Sequence, residues 1–377
     1  MMKITNKFFL ENHNEFLKEI ETYTQNNLAP VAKEYDESGE FPTDLLPFFF
    51  ENHSFKFLIS DSKENLAVFL EAIRIVSTKF ASLASILLTQ GLYAVSPFYS
   101  FGTEKQKDIY LKNLVHGNKL GGFAMTEDHS GSDLSYLETT AWETENGWTI
   151  NGSKKYVSNA AKADLFLVVA KAKKLNGETG IGIFIVERSN EGLNISESMD
   201  KMGIKSLPVS SINLDKVSVP KDALLGETLN GEEQVEQIMN LMKLAVSMQA
   251  IGISQGSFEK GLHYLSLVRK FGNRLIDNQI TQQTMADMNT NIHSAEAFTR
   301  YIILDNPQDT VEVAMAKILT SNTAIETTET IIQLTGGYGY MKDSEIERYV
   351  RDAKITAIYG GSSDSQRKIV AQPWLKK

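Results

Sequence analysis

The chain has 377 residues and a formal net charge of −9 at pH 7, with 42% hydrophobic and 23% charged residues. That composition is ordinary for a globular protein long enough to form two or three domains. The acidic balance argues against nucleic acid and anionic membranes as partners, and the absence of cysteine excludes disulfides, thiolate nucleophiles and cysteine metal sites.

The N-terminal segment MMKITNKFFLENHNEF lacks the uninterrupted apolar stretch of a signal peptide. The apolar runs elsewhere are expected to fall well short of a membrane span. We therefore expect a cytoplasmic protein without membrane insertion.

Residues 3 to about 118 have the pattern of helices. The segment AVFLEAIRIVSTKFASLASILLTQ carries apolar residues three and four positions apart, which is helical spacing. Pro30, Pro42, Pro47 and Pro97 are expected to divide this zone into several helices.

The zone from Gly121 to Val219 is predicted to form strands and to end at the Pro220 turn. GWTINGSKKYV places Asn151 and Gly152 between two β-prone runs, which predicts a hairpin turn at that dipeptide. Further strands are predicted in LFLVVAKA, GIGIFIVE and SSINLDKVSV.

The last zone is helical again, and from Glu232 to Lys270 it contains no proline. An apolar stripe runs along this segment: Val235, Ile238, Met242, Ala245 and Met248. Two more helices are predicted, from about Gln279 to Leu304 and from Asp309 to Leu334, and helices of this length are typical of a bundle.

The order helices, strands, helices predicts three domains. We place a helical domain at 1–119, a β domain at 120–225 and a helical bundle at 226–377.

Two segments resemble signatures of the acyl-CoA dehydrogenase family: FAMTEDHSGSD at 123–133 and QLTGGYGYMKDSEIERYVRD at 333–352. Between them, KKYVSN, MGIKSLPVSSINLDKVSVP and RKFGNRLIDNQITQQTMADM resemble other parts of the family in the same order. The resemblance covers roughly residues 80–372. It implies an α+β multidomain fold with an N-terminal helical domain, a middle β-barrel-like domain and a C-terminal four-helix bundle.

The resemblance also implies FAD as the cofactor. Met125 and Thr126 match residues that bond the flavin ring, Tyr156 matches a residue that packs beside the ring, and Ser158 matches one that reaches flavin N5. Tyrosine and serine stand where the family usually has tryptophan and threonine. Without the flanking motifs, Tyr156 and Ser158 would be ordinary strand residues.

Gln333, Gly336 and Gly337 match positions at which a neighbouring subunit holds the adenosine diphosphate part of FAD. Glycines let backbone N–H groups approach a pyrophosphate closely, although a glycine-rich helix end is the commoner reason for such a sequence. A shared site of this kind implies a homodimer or homotetramer.

The bundle loop aligns on Phe271 and Gly272, and Phe271 belongs to the implied FAD contacts. The family's usual pyrophosphate-binding arginine would then fall on Val268. Arg269 or Lys270, displaced by one and two residues, is the candidate replacement.

Three residues match positions near the acyl-CoA substrate of the family: Ser132, Lys243 and Tyr359. Lys243 stands for the family's arginine and Asn240 for its aspartate on the same helix. Lysine offers a phosphate a point charge in place of the fork of arginine.

The sequence lacks the carboxylate that removes the α-proton of the thioester in this family. The two positions from which family members supply it hold Gly360 and Met242. His129 is a weak candidate for an acid/base group, because a lone loop histidine more often faces solvent. Asp364 has the spacing of a helix N-cap or a surface carboxylate, and Glu127 matches a residue that supports the first signature loop.

The resemblance therefore implies an FAD-dependent oxidoreductase acting on an acyl-CoA or a related acyl substrate, with electron-transfer flavoprotein or oxygen as acceptor. Three alternatives stay open. The chain could be a flavin-dependent monooxygenase or N-hydroxylase of the same fold, a noncatalytic subunit of a hetero-oligomeric dehydrogenase, or a protein that binds its ligand without turnover.

Overall fold

The computed structural model describes residues 11–131, 133–269 and 272–375. Three residues discussed above, Ser132, Lys270 and Phe271, lie outside the described residues. Their predicted contacts with substrate and FAD therefore stay predictions.

From Glu11 onward the first zone is helical, as predicted, and its residues 3–10 lie outside the described residues. Its helices are α1 Glu11–Tyr23, α2 Ala32–Ser38, α3 Pro47–Glu51, α4 Lys63–Ser77, α5 Ala81–Gln90, α6 Ser96–Phe101, α7 Glu104–Gln106 and α8 Lys112–Val115. Pro47 begins α3, but Pro97 does not separate helices, because a π-helical turn at Gly91–Val95 carries α5 directly into α6. The wider hydrogen-bonding pattern of that turn adjoins the residue that has no N–H to donate.

The helical stretch Ala81–Phe101 is long and apolar enough to cross a membrane, and 94% of its most apolar window is buried inside the fold. The expectation that every apolar run falls well short of a span was therefore wrong. Its burial is that of the core helix of a folded domain.

The middle zone forms a seven-stranded sheet among the described residues: β1 Gly121–Ala124, β2 Thr140–Thr144, β3 Gly147–Ser158, β4 Leu165–Lys173, β5 Thr179–Glu187, β6 Leu193–Ile195 and β7 Val209–Pro220. The order is β1-β4-β2-β3-β7-β6, and β5 pairs with β4. Strands β1 and β2 pair in parallel with successive segments of β4.

The predicted hairpin turn at Asn151–Gly152 was wrong. The chain turns one Asn-Gly dipeptide earlier, since β2 ends at Thr144 and β3 runs unbroken from Gly147 to Ser158. Gly152 instead marks a register shift within β3, and a Cβ on it would lie 2.4 Å from the hydroxyl oxygen of Thr139. The glycine therefore serves a bulge and a close approach.

The last zone has the predicted long helices. They are α9 Gly231–Leu265, α10 Gln279–Asp305, α11 Thr310–Thr335, α12 Gly337–Tyr340, α13 Ile346–Thr356 and α14 Ser363–Leu375. The predicted apolar stripe of α9 is buried, but so are most of its other faces, because α4, α5, α10, α11 and α13 all pack against it. At Gly252 and Gly256, α9 meets the backbone of α4 and of the turn after it, so that the N-terminal domain and the bundle share one core.

Candidate active site

The loop after β1 carries most of the first signature, residues 123–133, and is hydrogen-bonded to β3. The backbone N–H of Glu127 donates to the Ser130 carbonyl at 2.8 Å, and the Lys154 ammonium donates to the Met125 carbonyl at 3.1 Å. The same ammonium lies 2.6 Å from the Glu127 carboxylate, which also accepts backbone N–H bonds from residues 138 and 139. The supporting role expected of Glu127 is confirmed.

Both members of this ion pair are buried. Burial lowers the pKa of Lys154 to about 8, although Glu127 acts in the opposite direction. Burial also works against ionisation of Glu127, but the hydrogen bonds from Lys154 and Thr139 prevail and hold the pKa of that carboxyl below its usual value. The loop therefore rests on a charged pair shielded from water.

Met125, Thr126, Tyr156 and Ser158 lie on two neighbouring segments. The Lys155 N–H donates to the Thr126 carbonyl at 2.8 Å, which sets this loop beside β3. Tyr156 sits where the pairing of β3 with β7 shifts register, in the left-handed region at φ 56°, and its side chain is 64% exposed. An exposed ring beside a rigid loop fits a planar partner such as the isoalloxazine of FAD.

A second group of predicted FAD contacts lies where α9 and α11 end. The rings of Tyr264 and Tyr338 stack with centroids 4.2 Å apart, and Arg269 donates to the Tyr264 hydroxyl at 2.7 Å with its guanidinium over that ring. Gly336 and Gly337 are exposed, and a Cβ on either would have no neighbour within 4 Å. This exposed Gly336–Gly337 backbone, called the glycine shelf below, lies near the Arg269 guanidinium, and such a pair of features fits a pyrophosphate.

Gln333 is exposed on the last turn of α11, next to that glycine shelf. Val268, the residue at the family's usual arginine position, is also exposed. Arg269 lies near these glycines through its contact with Tyr264, which stacks on Tyr338. The flavin-ring candidates lie elsewhere, on the loop after β1 and on β3.

The two positions of the missing base are buried or half-buried and hold no carboxylate. Met242 is 1% exposed on α9. Gly360 has φ 66°, and a Cβ on it would lie 3.7 Å from both Lys317 Cε and Val246 Cγ2. His129 lies on the exposed part of the signature loop, and Asp364 is an exposed carboxylate paired with Arg367 at 2.9 Å.

Sequence reasoning missed Lys317, which is only 1% exposed in the N-terminal third of α11. Its ammonium donates to the carbonyl of Gly361. Lys243, 6% exposed on α9, donates to the Asn240 side-chain oxygen at 3.2 Å. The available signal was a lysine inside the apolar run VAMAKIL, but helical lysines usually extend to solvent.

The two lysines are both easier to deprotonate than usual. Burial lowers the pKa of Lys317 to about 7, and the charge of Lys243 lowers it further. Burial lowers the pKa of Lys243 to about 8, and Glu236 acts in the opposite direction.

Tyr359 joins the C-terminal loop to the core. Its hydroxyl donates to the Gln249 side-chain oxygen, and Gln249 in turn donates to the Ala81 carbonyl at 2.9 Å and to the Ser85 hydroxyl at 2.8 Å. Burial raises the pKa of Tyr359, so it stays a neutral donor.

Tyr93, on the π-helical turn, links the same region to the sheet. Its ring stacks on Phe123 of β1 with centroids 4.9 Å apart, and its hydroxyl donates to the Met239 sulfur at 3.6 Å. Helices α5 and α9, strand β1 and the C-terminal loop therefore converge here.

Family models match nearly the whole chain: the acyl-CoA dehydrogenase N-terminal domain at residues 10–118, the middle domain at 122–217 and the C-terminal domain at 230–375. The chain belongs to the acyl-CoA dehydrogenase family. Members of this family are FAD-dependent oxidoreductases, and their fold is the one described above.

Similar curated proteins include two reductases. A 3-(aryl)acrylate reductase of Clostridium sporogenes is 30% identical over 380 residues, covering 98% of this chain and 100% of the relative. The CarC subunit of the caffeyl-CoA reductase-Etf complex of Acetobacterium woodii is 30% identical over 378 residues, covering 98% of this chain and 100% of the relative. Among solved structures, butyryl-CoA dehydrogenase from Megasphaera elsdenii is similar with a TM-score of 0.90 at 28% identity, covering 98% of this chain and 99% of that one.

Within the acyl-CoA dehydrogenase family, this chain therefore has the whole three-part fold. Its loop of Met125 and Thr126, its β3 and its glycine shelf are all formed. Near the C-terminal loop it has Gly360, which carries no side chain, and the buried lysines Lys243 and Lys317.

Proposed function

We propose that this acyl-CoA dehydrogenase-family chain binds FAD and interconverts a saturated acyl thioester and its α,β-unsaturated counterpart. The observation that supports the proposal is the hydrogen-bonded Met125–Thr126 loop beside the exposed Tyr156, since these residues match the flavin-ring contacts of the family. Oxidised FAD, when bound, would supply the acceptor for one hydride, which carries two electrons. The similarity to two reductases supports including the reductive direction.

The chain's own residues would have distinct tasks in this function. The backbones of Met125 and Thr126 would bond the ring edge, Tyr156 would pack beside the ring, and the Ser158 hydroxyl would serve its N5. The buried Lys154–Glu127 pair keeps these groups in place. Lys243, Tyr359 and Ser132 serve the acyl-CoA.

We infer that a second copy of the chain completes the FAD site. Its residues for the adenosine diphosphate part of FAD would be Arg269, Gln333, Gly336 and Gly337. The separation of these residues from the β1–β3 group, on the ends of α9 and α11, supports a homodimer or homotetramer. Electron-transfer flavoprotein is the proposed redox partner, in keeping with the Etf complex named for one relative. We place the protein in the cytoplasm.

The test begins with the visible spectrum of the purified protein with added FAD, followed by anaerobic addition of acyl-CoAs. Flavin that bleaches with a saturated acyl-CoA, or reduced flavin that is reoxidised by an enoyl-CoA, supports the proposal. Flavin inert to every thioester but reactive with oxygen once reduced would indicate a monooxygenase instead. Failure to bind FAD without a partner chain would indicate a noncatalytic subunit.

A further inference from the structure

The side chain of Lys317 lies beside the position at which a side chain of residue 360 would lie. A Cβ on Gly360 would be 3.7 Å from Lys317 Cε, and the Lys317 ammonium donates to the carbonyl of the next residue, Gly361. Val246 of α9 is equally close to that Cβ. The position of the absent side chain is therefore lined by the Lys317 Cε, one bond from an ammonium that is held by the Gly361 carbonyl.

Among the described residues, the charge of Lys317 is not balanced by a carboxylate. Throughout the part of the chain that the structure describes, no carboxylate oxygen lies within 4 Å of Lys317 or of Lys243. The contrast is Lys154, equally buried but 2.6 Å from Glu127. An unpaired buried ammonium is costly, and the neutral amine is the form that such a site favours.

Helix α13, which packs against α11, carries the buried charged residues Arg348 and Asp352. The charged group that acts on Lys317 is Lys243 of α9. The loop after α13 presents the Gly361 carbonyl and Tyr359, whose hydroxyl is bonded to Gln249. On α14, Gln366 is a buried amide and Asp364 is exposed and paired with Arg367; on α10, Glu296 and Arg300 are paired with each other.

We propose that the Lys317 amine exchanges the α-proton of the acyl substrate, in place of the carboxylate absent from position 360. The proposal rests on the proposed function and names its proton-transfer group. Its resting state is consistent with this task, because burial and Lys243 lower the pKa of Lys317 to about 7. A base whose pKa is near the working pH is both present in its neutral form and strong enough to act.

The oxidative step breaks two C–H bonds and forms one C=C bond. The Cα–H bond breaks, its proton goes to Nζ, and its electron pair becomes the new Cα=Cβ bond. The β-hydrogen leaves with its own pair as hydride to the two-electron acceptor of the proposed function. In the reductive direction, the ammonium returns the proton to Cα after hydride has reached Cβ.

The experiment measures proton exchange without hydride transfer. Acetyl-CoA and 3,3-dimethylbutyryl-CoA have no β-hydrogen, so their α-protons can exchange with D2O while the flavin stays oxidised. Mass spectrometry of the recovered thioester gives the rate for the FAD-loaded protein. The variants are Lys317→Met and Lys317→Arg. The matched control is Lys260→Arg, because the Lys260 ammonium lies 2.9 Å from the Glu345 carboxylate and not at the Gly360–Gly361 loop.

We expect exchange to fall about 10²- to 10⁴-fold in both Lys317 variants and to be unchanged in Lys260→Arg. Arginine keeps the charge and the hydrogen bond to Gly361 but is not deprotonated, so a purely structural role predicts that it preserves the rate. Full exchange in a folded Lys317→Arg protein would overturn the proposal.

The wild-type protein provides a second test that does not depend on the folding of a variant. Its exchange rate should rise with pH through an apparent pKa near 7, and that pKa should fall steeply on warming, as it does for an ammonium. A pKa that barely moves with temperature indicates a carboxyl and would overturn the assignment. If acyl-CoA reduces the wild-type flavin but the Lys317 variants exchange protons normally, only the Lys317 proposal is contradicted. If the Lys317 variants lose exchange but no acyl-CoA reduces the flavin, only the hydride-transfer function is contradicted.

Discussion

Lys154 and Glu127 form a buried ion pair, with the ammonium 2.6 Å from the carboxylate and neither side chain more than 4% exposed. The pair joins β3 to the loop that carries the candidate flavin contacts. Lys154 also donates to the Met125 carbonyl, so one ammonium fixes the backbone on which Met125 and Thr126 are placed.

We predict that Lys154→Met lowers the free energy of unfolding by about 3–5 kcal/mol, because it leaves the Glu127 charge buried without its partner. The FAD dissociation constant should rise as the loop loosens. Urea unfolding and flavin fluorescence measure the two effects. The double variant Lys154→Met/Glu127→Gln should lose less than the sum of the single losses, and strict additivity would show that the pair does not couple. Lys171→Met, on an exposed position of the same sheet, is the control.

The two buried lysines predict a specific pH dependence of stability. Their pKa values in the folded chain are about 7 for Lys317 and about 8 for Lys243, against 10.5 ordinarily. Between these values and 10.5 the unfolded chain binds more protons than the folded chain, so raising the pH favours folding. Below pH 7 both states are protonated and the dependence disappears.

The measurement compares the wild type with Lys317→Met/Lys243→Met in urea between pH 6 and pH 9.5. The free energy of unfolding of the wild type should rise relative to that of the variant by about 1.4 kcal/mol per pH unit for each lysine. This rise applies between the pKa of that lysine in the folded chain and 10.5. A difference that is constant with pH would mean that both lysines stay charged in the folded protein.

The crossing of α9 over α4 predicts that Gly252 does not tolerate a side chain. A Cβ there would lie 2.2 Å from the Arg74 carbonyl oxygen, a backbone atom that cannot move without displacing α4. Gly252→Ala should therefore destabilise by about 1–3 kcal/mol, although alanine is the better helix former. Gly131→Ala, whose Cβ would meet nothing within 4 Å, should leave thermal unfolding unchanged. Equal melting temperatures for the two variants would contradict the close crossing.

The zones of helix and strand could be predicted from the sequence because periodicity and proline spacing are local properties. The turn between β2 and β3 could not, since Asn146–Gly147 and Asn151–Gly152 carry the same local signal. Tertiary neighbours decided between them: Thr139 lies against Gly152, which becomes a bulge. The burial of Lys317 could not be predicted for a similar reason. Nothing within its own helix reveals that α9 and the Gly361 loop enclose it.

Gly360→Glu tests whether the site still accepts the missing carboxylate. The left-handed backbone at φ 66° should cost about 1–2 kcal/mol with any side chain, but the new side chain would point at Lys317 and Val246. We predict faster α-proton exchange, with a pH profile moved to lower pH because a carboxylate ionises there. We also predict that Gly360→Glu restores exchange in a Lys317→Met background.

Gly360→Gln is the matched control, since it has the same backbone strain and nearly the same size but no base. It should remain as slow as Lys317→Met in that background. If the glutamate variant folds, retains flavin and still gives no exchange, residue 360 does not face the acyl group, and the neighbouring amine then loses its geometric support as well. Rescue by glutamate alone would place Lys317 and position 360 at the same reacting carbon.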